Sequence, residues 1–197
     1  MIAALLLVWT VAQAALADVS APTYAVGDAF VYSNGRIERV RAVAGDEVTW
    51  SGLTGDPWRR SRNFVVPTPS WRLQGQEGRR TVFGQPERIW PLRAGRIVDF
   101  RIVTESRNDS DPPNQWRRSL LLWSCQVGRP HPVHVPAGEF SAIPIVCDRF
   151  SVGNMRLIER TTWDYAPDLG HYVRRTTVTY ANAQTQTLAL VAALPGR

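Results

Sequence analysis

The chain has 197 residues, a length typical of one domain with a substantial core behind a short leader. Its net charge is +6 and all 23 basic residues are arginine, so the field around it favours anionic partners. Arginine without lysine, together with abundant Ala, Gly and Pro, is also what a GC-rich genome encodes, and the charge therefore selects no single partner.

The first 17 residues predict export. An apolar run over residues 2–11 ends in Ala15, Leu16 and Ala17 just before Asp18, which is the pattern of a signal peptide. The run is shorter than the roughly 20 residues of a membrane-spanning helix. No basic residue precedes it, so a retained anchor is the alternative. We expect a periplasmic or secreted protein without a transmembrane segment after cleavage and without a nucleic-acid partner.

Turn residues at intervals of about 8 to 12 separate short runs rich in Val, Ile, Thr, Phe and Trp, which is typical of an all-β sandwich or barrel. Residues 29–50 read as three strands that turn at Asn34-Gly35 and at 44–46. We therefore expect one β domain over residues 18–197: a single curved antiparallel sheet, or a half-open barrel or sandwich, with one disulfide.

Residues 51–92 are rich in Gly and Pro, and we expect loops and short edge strands there. A loop-rich segment of this kind is also the natural place for function. Alternation over residues 98–102 then indicates a strand with one buried face. A polar turn at 108–114 leads to another strand over 116–127.

Two cysteines, Cys125 and Cys147, predict one disulfide in an exported chain, with two free buried thiols as the alternative. Folding the chain at Ala137-Gly138 brings them nearly opposite, with a slip of about three residues that a bulge in 128–132 would absorb. In the chain-entropy model such a bond stabilises the fold by about 3 kcal/mol.

The last third predicts strands over residues 155–163 and 172–180, with a turn at 167–170 between them. The final apolar run, 187–194, is either a strand or a short helix, because periodicity does not distinguish the two in so short a segment.

Three segments resemble motifs of a broad group of exported bacterial β-proteins of unassigned function. They are Val133-x-Val135-Pro136-Ala137-Gly138-x-Phe140, Trp163-x-Tyr165-Ala166-Pro167-x-x-Gly170-x-x-Val173 and Trp90-Pro91-Leu92-x-x-Gly95. The resemblance covers roughly residues 24–180. It implies a curved antiparallel sheet that half-closes like a barrel, similar to periplasmic lipoprotein carriers, and it implies no catalytic residue.

The histidines and acidic residues form no familiar catalytic or metal motif, and we expect neither a metal nor a cofactor. His131 and His134 are three apart on an extended chain, so their rings point to opposite faces and we expect two exposed histidines. His171 has Asp168 nearby as a partner for a catalytic base, but Asp168 after Pro167 is explained as a turn residue. Acids that could serve a glycosidase pair are Glu139, Asp148 and Glu159.

Indole rings stand beside guanidinium groups at three places. These are Trp58-Arg59-Arg60-Ser61-Arg62, Trp71-Arg72 and Trp116-Arg117-Arg118. Such pairs suit sugar stacking and the binding of carboxylate or phosphate, but neighbours on a strand face opposite ways, so the alternative is Trp in the core and Arg in solvent. We assign ligand binding, with the first cluster favoured, to Trp58, Arg59, Arg60, Arg62, Trp116 and Arg118.

The sequence thus predicts a non-enzymatic envelope protein that binds an apolar or anionic ligand, such as a lipid, an acidic glycan or another envelope protein. A concave sheet with apolar walls would hold the ligand, and arginines at its edge would hold an acidic head. One alternative is a structural or protein-interaction module with an exposed apolar patch. The other is a hydrolase with His171 or a carboxylate pair in a cleft.

Overall fold

The computed structural model describes residues 18–54, 56–73 and 75–196, so the predicted signal peptide, residues 1–17, lies outside the described residues. Within these ranges the chain forms thirteen strands and one short 3-10 helix, Pro86–Ile89. The strands are β1 Ala29–Tyr32, β2 Ile37–Ala44, β3 Glu47–Ser51, β4 Trp58–Ser61, β5 Ser70–Leu73, β6 Gln76–Gly84, β7 Ile97–Asn108, β8 Arg117–Val127, β9 His131–Val135, β10 Gly138–Ser151, β11 Leu157–Ala166, β12 His171–Thr179 and β13 Gln184–Leu194.

All pairings are antiparallel, and the strand order is β4-β3-β2-β1-β13-β12-β11-β10-β8-β7-β6-β5, with β9 paired to β10. Most neighbours in this order are consecutive in the chain, which is what short hairpin turns produce. The pairing of β1 with β13 joins the two ends of the domain. The sheet curves into a barrel with one seam, which lies between the edge strands β4 and β5 and confirms the predicted half-open all-β fold.

The first three strands and the last one follow the sequence closely. Asn34-Gly35 forms the first hairpin turn, with Gly35 at φ 80°, as the sequence predicted. The final apolar run, which the sequence left open, is strand β13, because it pairs with β12 on one side and β1 on the other. No described helix is long and apolar enough to cross a membrane.

The segment 51–92 contains the short edge strands that the sequence predicted, β4 and β5, but it is otherwise more ordered than predicted. It contains β4, β5, the 3-10 helix and the nine-residue strand β6. Strand β6 pairs along its whole length with β7, and β5 covers its other edge. The sequence predicts that the glycines of this segment break any long element, but Gly78 lies in mid-strand, where an added Cβ would stand 2.2 Å from the ring of Trp71.

The disulfide Cys125–Cys147 joins directly paired residues of β8 and β10, at a Cα–Cα distance of 4.0 Å. The β9–β10 hairpin pairs Val135 with Gly138, so the turn is one residue earlier than predicted. The register therefore shifts by one residue, rather than three, between this hairpin and the β8–β10 pairing. The short connection between β8 and β9 accommodates that shift.

The core lies on the inner face of the curved sheet. Phe30, Trp50 and Tyr172 are almost completely buried there. The connection between the edge strands β4 and β5 contributes Phe64 and Val65, which are also buried. Phe64 contacts rings from β11 and β12, among them Tyr172 at 5.4 Å between centroids. The connection thus fills part of the barrel interior.

Candidate functional site

His171, the first residue of β12, is completely buried among the rings of this core. The hydroxyl of Tyr24 lies 2.8 Å from its Nδ1, and the hydroxyl of Tyr32 lies 2.8 Å from its Nε2. Phe30 stacks on the imidazole at 3.8 Å between centroids. Burial lowers the pKa of His171 to about 3, against the attraction of Glu38. The imidazole is therefore neutral, and it donates to one tyrosine while it accepts from the other.

A buried ion pair lies beside this imidazole. Nη2 of Arg60 on β4 donates to Oε2 of Glu38 on β2 at 2.9 Å, and the Tyr172 hydroxyl donates to the same oxygen at 3.2 Å. A guanidinium nitrogen of Arg36 lies 2.8 Å from Oε1. Burial alone would raise the pKa of Glu38, but the charges of Arg60 and Arg36 outweigh it and lower the pKa to about 2. Glu38 thus stays ionised although it is completely buried.

These contacts bear on the hydrolase alternative. His171 has no exposed surface, so its imidazole does not reach a substrate from solvent. Its nearest carboxylate is not Asp168 but Glu38, whose Oε2 is 3.9 Å from Nε2. Each acid considered for a glycosidase pair has a basic side chain within ion-pair distance: Glu139 has His134, Asp148 has Arg160 and Glu159 has Arg149.

The first Trp–Arg cluster is divided between core and surface. Trp58 is half-buried beneath the Arg36 guanidinium, while Arg59 is exposed and faces Glu47 at 3.6 Å. Arg60 points inward to Glu38. Arg62 pairs with Asp46 at 3.1 Å and also donates to a backbone carbonyl. Ligand binding by this cluster remains a prediction. Arg60 points into the core, where Glu38 is its ion-pair partner.

The second assigned cluster is part of a different arrangement. The guanidinium carbons of Arg79 and Arg107 lie 5.0 and 5.3 Å from the ring centroid of Trp116. Arg118 is exposed on β8, opposite Glu105 in the strand register, while the ion-pair partner of Glu105 is Arg79. The contact of Trp58 is with Arg36 in the β1–β2 turn, whereas those of Trp116 involve β6 and β7, so the structure places the two assigned clusters in separate environments.

The two hairpin histidines have separate carboxylate partners. His131 lies 3.4 Å from Asp164, which also accepts a hydrogen bond from Arg174. His134 lies 3.1 Å from Glu139 and is largely exposed. Among residues 18–54, 56–73 and 75–196, no group of three His, Cys, Asp or Glu side chains is arranged to hold a metal ion.

A cavity of about 580 Å³ lies where the start of the described chain meets several turns. Val19 forms a β-bridge with Leu92, whose amide donates to the Val19 carbonyl at 2.8 Å. The β8–β9 connection, β10 and the β11–β12 turn complete the walls. We call it the N-terminal groove, and its apolar walls come from Val19, Leu92, Ala94, Pro130, Ile143 and Pro167.

One arginine, Arg93, lines the N-terminal groove, and a second, Arg129, is adjacent in sequence to two wall residues. Arg93 makes a bidentate ion pair with Asp18 at its edge, and this hydrogen-bonded pairing lowers the pKa of the Asp18 carboxyl. Arg129 lies between the wall residues Gly128 and Pro130, is exposed, and has no carboxylate partner among the described residues. The groove thus has apolar walls, and an exposed arginine lies next to two of its wall residues in the sequence.

The overall fold is similar to that of the hypothetical lipoprotein YmcC from Escherichia coli. The two share 10% identity over 86% of this chain and 84% of that chain, with a TM-score of 0.53. A proposed exported protein with a YmcC-like fold from Bacteroides fragilis shares 14% identity over 89% of this chain and 99% of that chain, with a TM-score of 0.45. A proposed lipoprotein from Parabacteroides distasonis shares 10% identity over 89% of this chain and 99% of that chain, with a TM-score of 0.40.

No protein-family model matches this sequence, and no curated protein does either. The likeness to YmcC, at so low an identity, concerns the fold alone. It agrees with the curved antiparallel sheet that the sequence resemblance implied.

Sequence reasoning missed both Glu38 and the N-terminal groove. A usable signal existed for Glu38, because it is in phase with the buried Val40 on β2 and so belongs to the inner face. No local signal existed for the groove. Its walls come from separate segments of the chain that meet only in the folded protein.

Proposed function

We propose that the protein is an exported envelope protein that binds an amphiphilic anion in the N-terminal groove without chemical conversion. The observation that carries this proposal is the apolar cavity of about 580 Å³, which is within the range typical of sites for small ligands. Export rests on the predicted signal peptide and the disulfide, since such bonds persist in oxidising compartments.

The walls and the flanking charge select the ligand class. An alkyl or other apolar segment would bury surface against Leu92 and Ile143, which is the main favourable term for such binding. An acidic head would lie at the exposed Arg129, whose guanidinium offers two donors to a carboxylate or phosphate. The barrel interior near His171 is filled by rings, so the proposal places the ligand at the groove and not in the centre of the sheet.

The test uses a dansylated long-chain carboxylic acid, whose fluorescence increases in an apolar site. Ala94→Trp should fill the groove and weaken probe binding at least about tenfold. Ala44→Trp, at an exposed strand end, is the matched control and should bind like the parent protein. Equal binding by the two variants, or no saturable binding by the parent, would contradict the proposal.

The charge is tested separately. Arg129→Gln should weaken binding of the acid but leave binding of the corresponding uncharged dansyl alcohol unchanged, because only the acid has a head for the guanidinium. Arg156→Gln, at an exposed position in the β10–β11 turn, is the control. If Arg129→Gln weakens the acid and the alcohol alike, the arginine does not bind the head group.

A further inference from the structure

We propose that the outer face of the sheet docks on a membrane surface that contains anionic phospholipids. The contact is an apolar patch across strands β6, β7, β8 and β10, with arginines within it and beside it. We call it the outer patch, and its apolar members are Phe83, Val103, Leu120, Leu122, Phe150 and Val152. It lies towards the opposite ends of β8 and β10 from the N-terminal groove, and it does not rest on the function proposed for that groove.

One row of directly paired residues forms the middle of the outer patch. Phe83 on β6 pairs with Arg101 on β7, and Arg101 pairs with Leu122 on β8. Leu122 pairs in turn with Phe150 on β10. Side chains of directly paired residues lie on the same face of a sheet, with Cβ atoms about 4.5–5.5 Å apart. Three apolar side chains and one arginine therefore stand side by side across four strands.

A second row extends the outer patch along the strands. Val103 on β7 pairs with Leu120 on β8, two residues along each strand from the first row and therefore on the same face. The turn after β10 adds Val152, which follows the last β8–β10 pair at Ser151. Leu120 and Val152 are 41% and 40% exposed.

These side chains face away from the core. Val82 and Leu121, the strand neighbours of Phe83 and Leu122, pack against the inner core. Because successive side chains of a strand point to opposite faces, Phe83 and Leu122 lie on the outer face, and Phe83 is 52% exposed. Val103 lies outside the core cluster but is only 8% exposed, so other side chains of the outer face cover it. Apolar side chains that lie together at the surface in this way mark an interaction site.

Three arginines in or beside the outer patch have no acidic partner among the described residues. Arg101 is in the middle row, and Arg118 is on β8, two residues before Leu120. Arg156 is in the turn that also contains Val152. All three are exposed, and no carboxylate of the described ranges lies within ion-pair distance of them. The outer patch therefore has free positive charge where its apolar side chains meet water.

The nearby acids do not cancel this charge. Glu105 pairs with Arg79 at 2.6 Å, and Asp148 pairs with Arg160 at 2.6 Å. Asp99, which is exposed on β7, offsets one of the three arginines. The surface around the outer patch thus keeps a net positive charge, which complements an anionic partner.

Apolar side chains beside free cations fit the surface of an anionic bilayer. The apolar groups would enter the boundary between headgroups and acyl chains, and the guanidinium groups would bind lipid phosphates. Arg101 stands between Phe83 and Leu122, so its aliphatic part can be buried with them while its guanidinium reaches the headgroups. A partner protein would need its own matching arrangement of apolar and acidic side chains, whereas a bilayer offers both layers everywhere on its surface.

The test is co-sedimentation with vesicles, made either of equimolar phosphatidylglycerol and phosphatidylcholine or of phosphatidylcholine alone. It uses residues 18–197, which include the whole described sheet, because the apolar leader would itself bind lipid. The anionic vesicles should bind the protein in about 0.1 M NaCl, and more weakly in about 0.5 M NaCl, since salt screens the charges. No binding to the anionic vesicles, or equal binding to both vesicle types, would overturn the proposal.

The apolar contact is tested with Phe83→Ser, which should weaken binding to the anionic vesicles about tenfold. Val43→Ser, at an exposed position on β2, is the matched control and should bind like the parent protein. Near-UV circular dichroism reports whether each variant keeps the fold. A folded Phe83→Ser variant that binds as strongly as the parent would contradict the proposal.

The N-terminal groove is tested in the same assay. Ala94→Trp, which fills the groove, should leave vesicle binding unchanged. Loss of vesicle binding in this variant would assign the membrane contact to the groove and overturn the outer patch. Failure of the fluorescent probe to bind the groove would leave the vesicle result unaffected.

The charge contact is tested with Arg101→Gln, which should weaken binding to the anionic vesicles about fivefold. Arg39→Gln removes the same charge from an exposed position on β2 and should change binding less than about twofold. Equal effects would mean that total charge, and not the outer patch, attracts the protein to the vesicles. Sedimentation velocity should give a monomer. A dimer that Phe83→Ser dissociates would overturn the proposal, because the outer patch would then be an interface between two copies of this chain.

Discussion

At the scale of single residues, the burial of His171 makes the free energy of unfolding depend on pH. The unfolded chain protonates this imidazole below about pH 6.5, whereas the folded protein, with the pKa of His171 at about 3, does not. Between these values the unfolded state binds more protons, so the free energy of unfolding falls by about 1.4 kcal/mol for each unit of acidification. His171→Gln should flatten this slope, as measured by urea denaturation at several pH values.

In the upper part of that pH range, the contribution of His171 to the free energy of unfolding is separate from that of Glu38. The pKa of Glu38 is about 2, so its stabilising charge is lost only as the pH falls below the ordinary range of a glutamate. His134→Gln is the control, because His134 is largely exposed and its variant should keep the slope of the parent protein. A parent-like slope in His171→Gln would show that another group takes up the proton.

Neighbouring arginines on β4 provide a second prediction at this scale. Arg60→Met leaves the buried carboxylate of Glu38 with Arg36 as its remaining ion-pair partner, and should lower the free energy of unfolding by about 3–5 kcal/mol. Arg59→Met removes an exposed pair with Glu47 and should cost less than about 1 kcal/mol. Urea denaturation at neutral pH measures both. Similar losses would refute the inward role of Arg60.

At the scale of elements, the β8–β9 connection depends on one glycine. The amide of Gly128 donates to the Pro144 carbonyl at 2.8 Å, and an added Cβ would stand 2.5 Å from Cγ of the same proline. Gly128→Ala should therefore lower the free energy of unfolding by about 1–3 kcal/mol, measured by urea denaturation. Gly153→Ala, where a Cβ meets open space, is the control. Equal effects would mean that the connection yields to the added methyl group.

The same connection shows what the sequence could and could not predict. Alternation and turn residues predicted the strands around Cys125 and Cys147, and their facing positions, because both signals are local. A turn at Ala137-Gly138 gives a hairpin register two residues away from the observed pairing of Val135 with Gly138. The register depends on which two of Pro136, Ala137 and Gly138 form the turn. Strand β6 was missed because Gly78 looks like a break until Trp71 is placed against it.

The candidate sites were harder to predict than the strands. Trp58 and Arg60 are adjacent, yet the sequence alone does not tell which side chains of an edge strand meet a buried carboxylate. Adjacency in the sequence therefore identified the pairing of Trp with Arg but not which of these side chains point inward.

At the scale of the whole molecule, the start of the described chain is attached to the middle of the sequence. Asp18 pairs with Arg93 and Val19 bridges to Leu92, so the residues that follow the predicted cleavage site form one wall of the N-terminal groove. Cleavage before Asp18 would also place a new α-ammonium group there. The new amino terminus left by export and the proposed ligand site would then lie at the same place in the fold.

This gives the last prediction, on the processing of the full chain. Intact-mass spectrometry of the protein expressed with its own leader, without reducing agent, should give the mass of residues 18–197 less two hydrogens for Cys125–Cys147. Ala17→Arg places a large cation at the predicted cleavage position and should leave the full chain in the membrane fraction, because cleavage requires small residues there. Ala21→Arg, outside the cleavage motif, is the control. A full-length mass for the parent protein would instead favour a retained anchor, and the N-terminal groove would then lie next to the membrane surface.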